Sequence, residues 1–170
     1  MELAIRPIKK EDAEQVNELR RMEGIMENIL GLPTETILKT EDYILKQDDL
    51  RHQYVAVLKK DRSTELIVGT GGLHLNPLPR MRHSGSIGLM VHTDYQGMGI
   101  GRKLIEAIIE LADDWLMLTR LELEVFADNE KAINLYQKVG FEVEGIKRKA
   151  AIRNGRFADE MLMSRIKNIE

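Results

Sequence analysis

The chain has 170 residues, 43% of them hydrophobic, with 25 Lys and Arg against 28 Asp and Glu, and no cysteine. One domain spanning residues 1–170 is expected at about 100–200 residues per domain, with enough apolar material for a real core. The net charge of −3 offers no basic excess for a nucleic-acid backbone, and the missing cysteines exclude disulfides, thiolate metal sites and cysteine nucleophiles. Met1 to Arg6 shows no basic region followed by a long apolar run, and no apolar stretch approaches the ~20 residues of a bilayer span. A soluble, cytoplasmic protein without nucleic-acid or membrane partners is expected.

Leu3 to Ile8 alternates apolar and polar residues, the period of a strand, and Pro7 places it at an edge or terminus. Glu11 to Met22 predicts a helix with Ala13, Val16 and Leu19 on one face and two acids in its first turn. Gly24 to Thr36 reads as a loop, marked by Gly31 and Pro33. A second helix is expected from about Thr36 to Lys46. Gln53 to Lys60 alternates as a strand and should turn at Asp61-Arg62-Ser63 into a second strand, Glu65 to Leu75. Asn76 to Arg82 is a turn, and His83 to His92 the next strand. Arg102 to Leu118 carries Leu104, Ile108, Leu111 and Trp115 at helical spacing, so this face should pack on the sheet. Leu121, Leu123 and Val125 alternate with Glu122, Glu124 and Phe126 in another strand. Glu130 to Val139 is a helix closed by Gly140. Phe141 to Ala151 and Phe157 to Ile166 pair as a hairpin across Asn154-Gly155. The order β-α-α-β-β-β-α-β-α-β-β predicts one mixed sheet with helices on its faces, an α/β or α+β fold. The unit from residue 86 to 126 should be a right-handed parallel crossover.

The junction from Val91 to Leu104 concentrates the chemistry. Three glycines, Gly97, Gly99 and Gly101, stand at alternate positions where a strand passes into a helix. Such a turn exposes main-chain N–H groups, and the start of the helix adds its unpaired N–H groups and its dipole, which together attract phosphate. A dinucleotide fingerprint would require glycine where Leu104 stands, and a P-loop would require a second glycine where Arg102 stands. What remains is Q-x-x-G-x-G, Gln96 to Gly101. It resembles the acyl-CoA pyrophosphate loop of the GNAT superfamily of N-acyltransferases. Further on, Asn129-Glu130-Lys131-Ala132 through Tyr136 to Gly140-Phe141 resembles that family's N-x-x-A-x-x-x-Y-x-x-x-G-F segment, in the right order and on the right elements. The run from Phe141 through Arg153-Asn154-Gly155-Arg156-Phe157 to Asp159 is similar to the bacterial branch that acetylates free amino acids and related small amines.

The resemblance implies the GNAT fold, a mixed, mostly antiparallel sheet with a splayed parallel strand pair. It implies acetyl-CoA as donor, a small-molecule amine as acceptor, no metal, and a homodimer. Leu89, Met90 and Val91 would meet the pantetheine arm through their main chain, with one N–H facing the thioester carbonyl. The amides of Gln96, Gly97, Met98, Gly99, Ile100, Gly101 and Arg102 would hold the pyrophosphate, with Arg102 adding a charged contact. Asn129 would cap its helix and reach the pantetheine. Tyr136 would give a proton to the departing thiolate. The strand before the loop holds Ser86, Ile87 and Gly88 where many relatives carry an acid, so the general base stays open among His74, His83, His92, Glu27, Asp159 and a chain of waters. The acceptor pocket is expected from Met22 to Glu35 and from the C-terminal hairpin, with Arg153 or Arg156 as candidates for a carboxylate. Protein or peptide N-acetylation and a non-catalytic acyl-CoA-binding module are the competing functions.

Overall fold

The computed structural model describes residues 2–46, 48–59, 61 and 64–168. The elements are β1 Glu2–Pro7, α1 Ala13–Arg20, α2 Ile37–Leu45, β2 Arg51–Lys59, β3 Glu65–Leu75, β4 Ser84–Val91, α3 Ile100–Glu110, β5 Arg120–Phe126, α4 Glu130–Lys138, β6 Glu142–Arg153 and β7 Arg156–Ile166. This is the predicted order. The strands form one seven-stranded sheet in the order β1-β2-β3-β4-β5-β7-β6. Only β4 and β5 run parallel; every other neighbouring pair is antiparallel. Lys60, Arg62 and Ser63, the expected strand end and turn between β2 and β3, lie outside the described residues.

Strand alternation divides the core into two layers. On one face Val55, Val57, Ile67 and Met90 pack against Val16 and Leu19 of α1 and Ile25 beyond it. On the other, Ala56, Leu58 and Val68 meet Ile100 and Leu104 of α3. Leu121, Leu123 and Val125 extend that second layer to Ile105 and Ile108 of α3 and Tyr136 of α4. The buried stripe Ile100, Leu104, Ile108 follows helical spacing, and each such side chain contributes about 1.5–3 kcal/mol on burial.

Polar contacts fix the first layer. Arg6 forks onto Asp12 at 2.8 Å through both terminal nitrogens and reaches Glu65 at 2.8 Å. The Lys9 N–H also donates to Asp12 at 2.8 Å, which sets where the chain enters α1. Burial alone would raise the Asp12 pKa, but these donors hold it below the ordinary value. The buried Asn17 amide donates to the Glu35 carbonyl at 3.3 Å and the Thr40 hydroxyl at 3.2 Å, tying α1 to α2.

Two expectations fail. The third helix begins at Ile100, not Arg102, because Gly99 takes a left-handed conformation (φ +81°) as its N-cap. Trp115 does not face the sheet: Leu111–Trp115 forms a π turn, in which the Leu116 N–H returns to the Leu111 carbonyl at 3.1 Å. The extra residue shifts the helical phase, and Trp115 ends 77% exposed. The hairpin closes as predicted, with positive φ at both Asn154 (+51°) and Gly155 (+72°). Among the described residues no helix is long and apolar enough to cross a membrane.

Candidate active site

The site begins where the sheet comes apart. β4 stays paired with β3 from Gly85 to Val91. With β5 it shares only three registered pairs, Ser84–Arg120, Gly85–Leu121 and Ser86–Glu122. β5 continues to Phe126, but it follows β7. From Ile87 onward β4 therefore has one edge with no strand beside it, and Leu89, Met90 and Val91 lie on that edge. Unpaired main-chain groups on an open edge take any partner that offers alternating amides, as an added strand does.

The loop at the end of β4 is shaped by two glycines. His92 caps a short turn over Thr93–Tyr95, its Nδ1 accepting from the Asp94 N–H at 3.2 Å. The Gln96 side-chain amide then donates back to the Val91 carbonyl at 3.1 Å, pinning the loop to the strand. Gly97 (φ +78°) and Gly99 (φ +81°) take backbone conformations that other residues avoid. A Cβ built on either would meet nothing within 4 Å, so the surface above the loop is open. The N–H groups of Gly97, Met98 and Gly99 make no hydrogen bond among the described residues. Ile100 sends its side chain into the core while its N–H belongs to the free first turn of α3. Gly101 serves a different end: a Cβ there would stand 3.0 Å from Leu135 of α4, so this glycine lets the two helices close up. Arg102 is exposed and forms an ion pair with Glu106 at 2.7 Å.

Asn129 caps α4, the helix that follows β5, and Tyr136 lies on it. Asn129 accepts from the Ala132 N–H at 3.2 Å, the expected cap. Tyr136 is 5% exposed and packs on Phe141, with ring centroids 5.9 Å apart. Its hydroxyl makes no hydrogen bond among the described residues. Burial pushes its pKa up to about 12, which keeps the phenol protonated at neutral pH.

The candidate bases separate on their contacts. His92 is used as a cap, and the Glu27 carboxylate accepts from the Gly24 N–H at 2.7 Å. The Asp159 carboxylate accepts from the Lys149 N–H at 2.8 Å, where Lys149 bulges out of β6 with φ +52°. His83 is exposed on the turn before β4. Of the two hairpin-tip arginines, Arg153 lies over the Phe126 ring (4.5 Å) and forks onto Asp128, whereas Arg156 is exposed. His74 remains, on the α1/α2 face, with Nε2 2.7 Å from the Tyr43 hydroxyl.

Sequence reasoning passed over a second acidic group. Leu121, Leu123 and Val125 turn toward α3 and α4, so Glu122 and Glu124 face the other way, beside the parting of the sheet. Glu124 is held by Lys147, whose hydrogen bond lowers its pKa. On the neighbouring strand β7, on the same face, Glu160 is buried, and burial together with the neighbouring Glu124 raises its pKa. The alternation in β5 carried this signal, but neither Glu124 nor Glu160 was among the candidate bases, which were His74, His83, His92, Glu27, Asp159 and water.

A parallel pair that opens after three registers, an amide loop with nothing above its two left-handed glycines, and a buried tyrosine on the helix that follows β5 are the features of an acyl-CoA-dependent N-acyltransferase. The chain belongs to the acetyltransferase (GNAT) family, whose model matches residues 22–141. It is an acetyltransferase that takes acetyl-CoA as acetyl donor and an amine as acceptor. It is 31% identical to an L-amino acid N-acetyltransferase AaaT of Escherichia coli (strain K12), over 98% of this chain and 99% of that protein. An acetyltransferase of the GNAT family from Streptococcus pneumoniae superposes with a TM-score of 0.81 at 30% identity, covering 98% of this chain and 100% of the other. Spermidine N-acetyltransferase from Vibrio cholerae, solved with CoA and spermine, shares the fold at a TM-score of 0.83 and 23% identity, covering 96% and 95% of the two chains.

Proposed function

We propose that this protein transfers the acetyl group of acetyl-CoA to the primary amine of a small molecule, a free amino acid, by direct attack on the thioester. The observation that carries the reading is the opening of β4 and β5 beside an unobstructed amide loop. The diphosphate sits on the main-chain N–H groups from Gly97 to Arg102, that of Gln96 being taken, against expectation, by the Thr93 carbonyl at 3.4 Å, and the pantetheine arm lies along Leu89, Met90 and Val91. Asn129 borders the same arm. A main-chain N–H of β4 faces the thioester oxygen and stabilises the charge that develops there.

The acceptor enters from the α1/α2 face as a neutral amine. Its nitrogen bonds to the acetyl carbon, and the carbon–sulfur bond breaks as the intermediate collapses. The proton shed by the nitrogen leaves on that face, toward water and the Glu124–Glu160 pair. The thiolate takes its proton from Tyr136, which the raised pKa keeps loaded.

The 31% identity to an amino acid acetyltransferase along nearly the whole chain supports an amino acid as acceptor. A polyamine is the second reading, supported by the acidic residues of β5, β6 and β7. Of Glu122, Glu124, Glu144 and Glu160, however, three are engaged: Arg120 holds Glu122 and Glu144, and Lys147 holds Glu124. We further read residues 1–170 as a single cytoplasmic domain that works as a homodimer. Its edge strand β6 exposes Val143, Ile146 and Ile152, a surface suited to a second copy, and sedimentation would test the dimer. Release of free thiol from acetyl-CoA, screened over amino acids, polyamines, amino sugars and peptides, tests the activity. Turnover should be highest on free amino acids; turnover on peptides alone would overturn the reading.

A further inference from the structure

One polar cluster on the α1/α2 face takes no part in the steps above. Arg51 opens β2, His74 lies opposite it on β3, and Tyr43 comes from α2. The Arg51 guanidinium lies over the Tyr43 ring, 6.0 Å from its centroid. The Tyr43 hydroxyl meets His74 Nε2 at 2.7 Å.

Arg51 stands apart from its peers. Among the described residues six arginines are half-buried: Arg6, Arg20, Arg51, Arg120, Arg153 and Arg165. Five of them hold a carboxylate. Arg51 holds none among the described residues. A guanidinium that has given up part of its water for an aromatic face, with its fork of donors unused, is set for a planar anion.

The floor between this cluster and the open edge of β4 is bare. Gly72 and Gly88 are register partners on β3 and β4. A Cβ at Gly88 would meet nothing within 4 Å; one at Gly72 would lie 3.5 Å from the His52 carbonyl oxygen, 3.9 Å from Gln53 Cγ and 4.0 Å from His74 Nε2. A shallow trough thus runs from Gly88, the residue before Leu89, to His74. Along it, Gln53 Oε1 is buried with no hydrogen-bond partner among the described residues, an acceptor left for an N–H donor. Arg51 and Gly88 are two strands and one two-residue step apart, about 12 Å between Cα atoms, which an arginine side chain and a small amino acid together span.

We propose that Arg51, stacked on Tyr43 beside His74, binds the carboxylate of the acceptor and so aims its amino group along the Gly72–Gly88 floor at the thioester. The ligand class is a free amino acid or another small amine bearing a carboxylate. A polyamine would set a cation against an unpaired guanidinium. Burial first and the Arg51 charge second lower the pKa of His74, against the smaller opposing effect of Asp48, and so disfavour a charged imidazole beside the arginine. This assignment rests on the acetyl-transfer reading and makes Arg51 a specificity-determining residue of that site.

The test compares each standard L-amino acid with its own amide, which keeps the amine and removes the anion, in wild type, Arg51→Ala and Arg51→Lys. The wild type should prefer the acid over the amide. Arg51→Ala should erase the preference by raising KM for the acid about 10–100-fold, the loss of a charge-assisted pair, with the larger effect on KM than on kcat. Arg51→Lys should restore part of it. Equal use of acid and amide by the wild type, or an equal loss on both in Arg51→Ala, overturns the assignment and leaves acetyl transfer standing. Absence of turnover on every amine would count against acetyl transfer instead. Titration of the amino acids into the CoA-loaded protein then decides Arg51 separately: binding weakened by Arg51→Ala supports the assignment, and binding that is absent or unaffected overturns it.

Discussion

The two faces of the sheet are built by different rules. The α3/α4 face is apolar and continuous: Ile105, Ile108, Leu121, Leu123, Tyr136 and Phe141 share one cluster, and the loop beside it leaves its main chain uncovered at Gly97 and Gly99. The α1/α2 face is apolar only where α1 packs on β2, β3 and β4. Toward β5, β7 and β6 it becomes a field of paired charges, Arg120 with Glu122 and Glu144, and Lys147 with Glu124. In the reading proposed above, one face presents the donor and the other receives the acceptor. A main-chain device is general, because every acetyl-CoA molecule is alike, whereas an acceptor site made of side chains can differ from one family member to the next.

Substitutions sharpen this contrast by touching one face at a time. The largest effect is expected from Tyr136→Phe, which keeps the packing on Phe141 and removes only the hydroxyl. Its kcat should fall about 100-fold or more, in the range of a lost general acid, while the Kd for CoA stays within a factor of two or so. Wild-type kcat in steady-state assays would remove the proton-donor role.

Asp12→Asn tests whether ion pairs hold up the α1/α2 side. It leaves Arg6 half-buried beside a neutral partner and should cost about 2 kcal/mol, discounted from a fully buried pair because Arg6 retains contact with water. For a chain of this size that lowers Tm by roughly 4–8 °C. The Asp12 pKa is depressed in the folded protein, so its contribution is present above the ordinary aspartate value and is lost as pH falls through the depressed one. Wild type should therefore lose part of its thermal stability on acidification, and the gap between wild type and Asp12→Asn should narrow. A gap independent of pH in calorimetric scans would contradict the pairing.

The smallest effect belongs to the surface. Trp115→Phe should change stability by no more than about 0.5 kcal/mol, because the π turn has moved the ring out of the core. A larger loss in urea titrations would mean that the indole packs after all.

The same division decides what the sequence could reveal. The strands and helices of both faces were legible from period alone, since alternation in Leu121–Phe126 and the Leu104–Ile108 spacing report burial directly. The amide loop was legible because glycine at 97 and 99 is a backbone requirement written into residue type. Trp115 was misplaced because a π turn leaves no mark on hydrophobic spacing until the phase has already slipped. Arg51, Tyr43, His74 and Gln53 went unread as a group because they come from three elements, and only the register of β2 with β3 and the position of α2 bring them together. Glu160 was missed for a similar reason, its environment being set by Glu124 on a strand distant in sequence.

Calorimetric titration of CoA into wild type and Gly99→Ala tests the central claim most directly, that exposed main-chain amides after β4 hold the donor. A Cβ at position 99 meets nothing in the protein, so the added methyl would stand where the diphosphate must approach. We expect the fold to survive with a modest loss from the left-handed backbone, about 1 kcal/mol, and CoA affinity to drop by at least about tenfold, or 1.4 kcal/mol. Equal heats and equal Kd in the two proteins would contradict it.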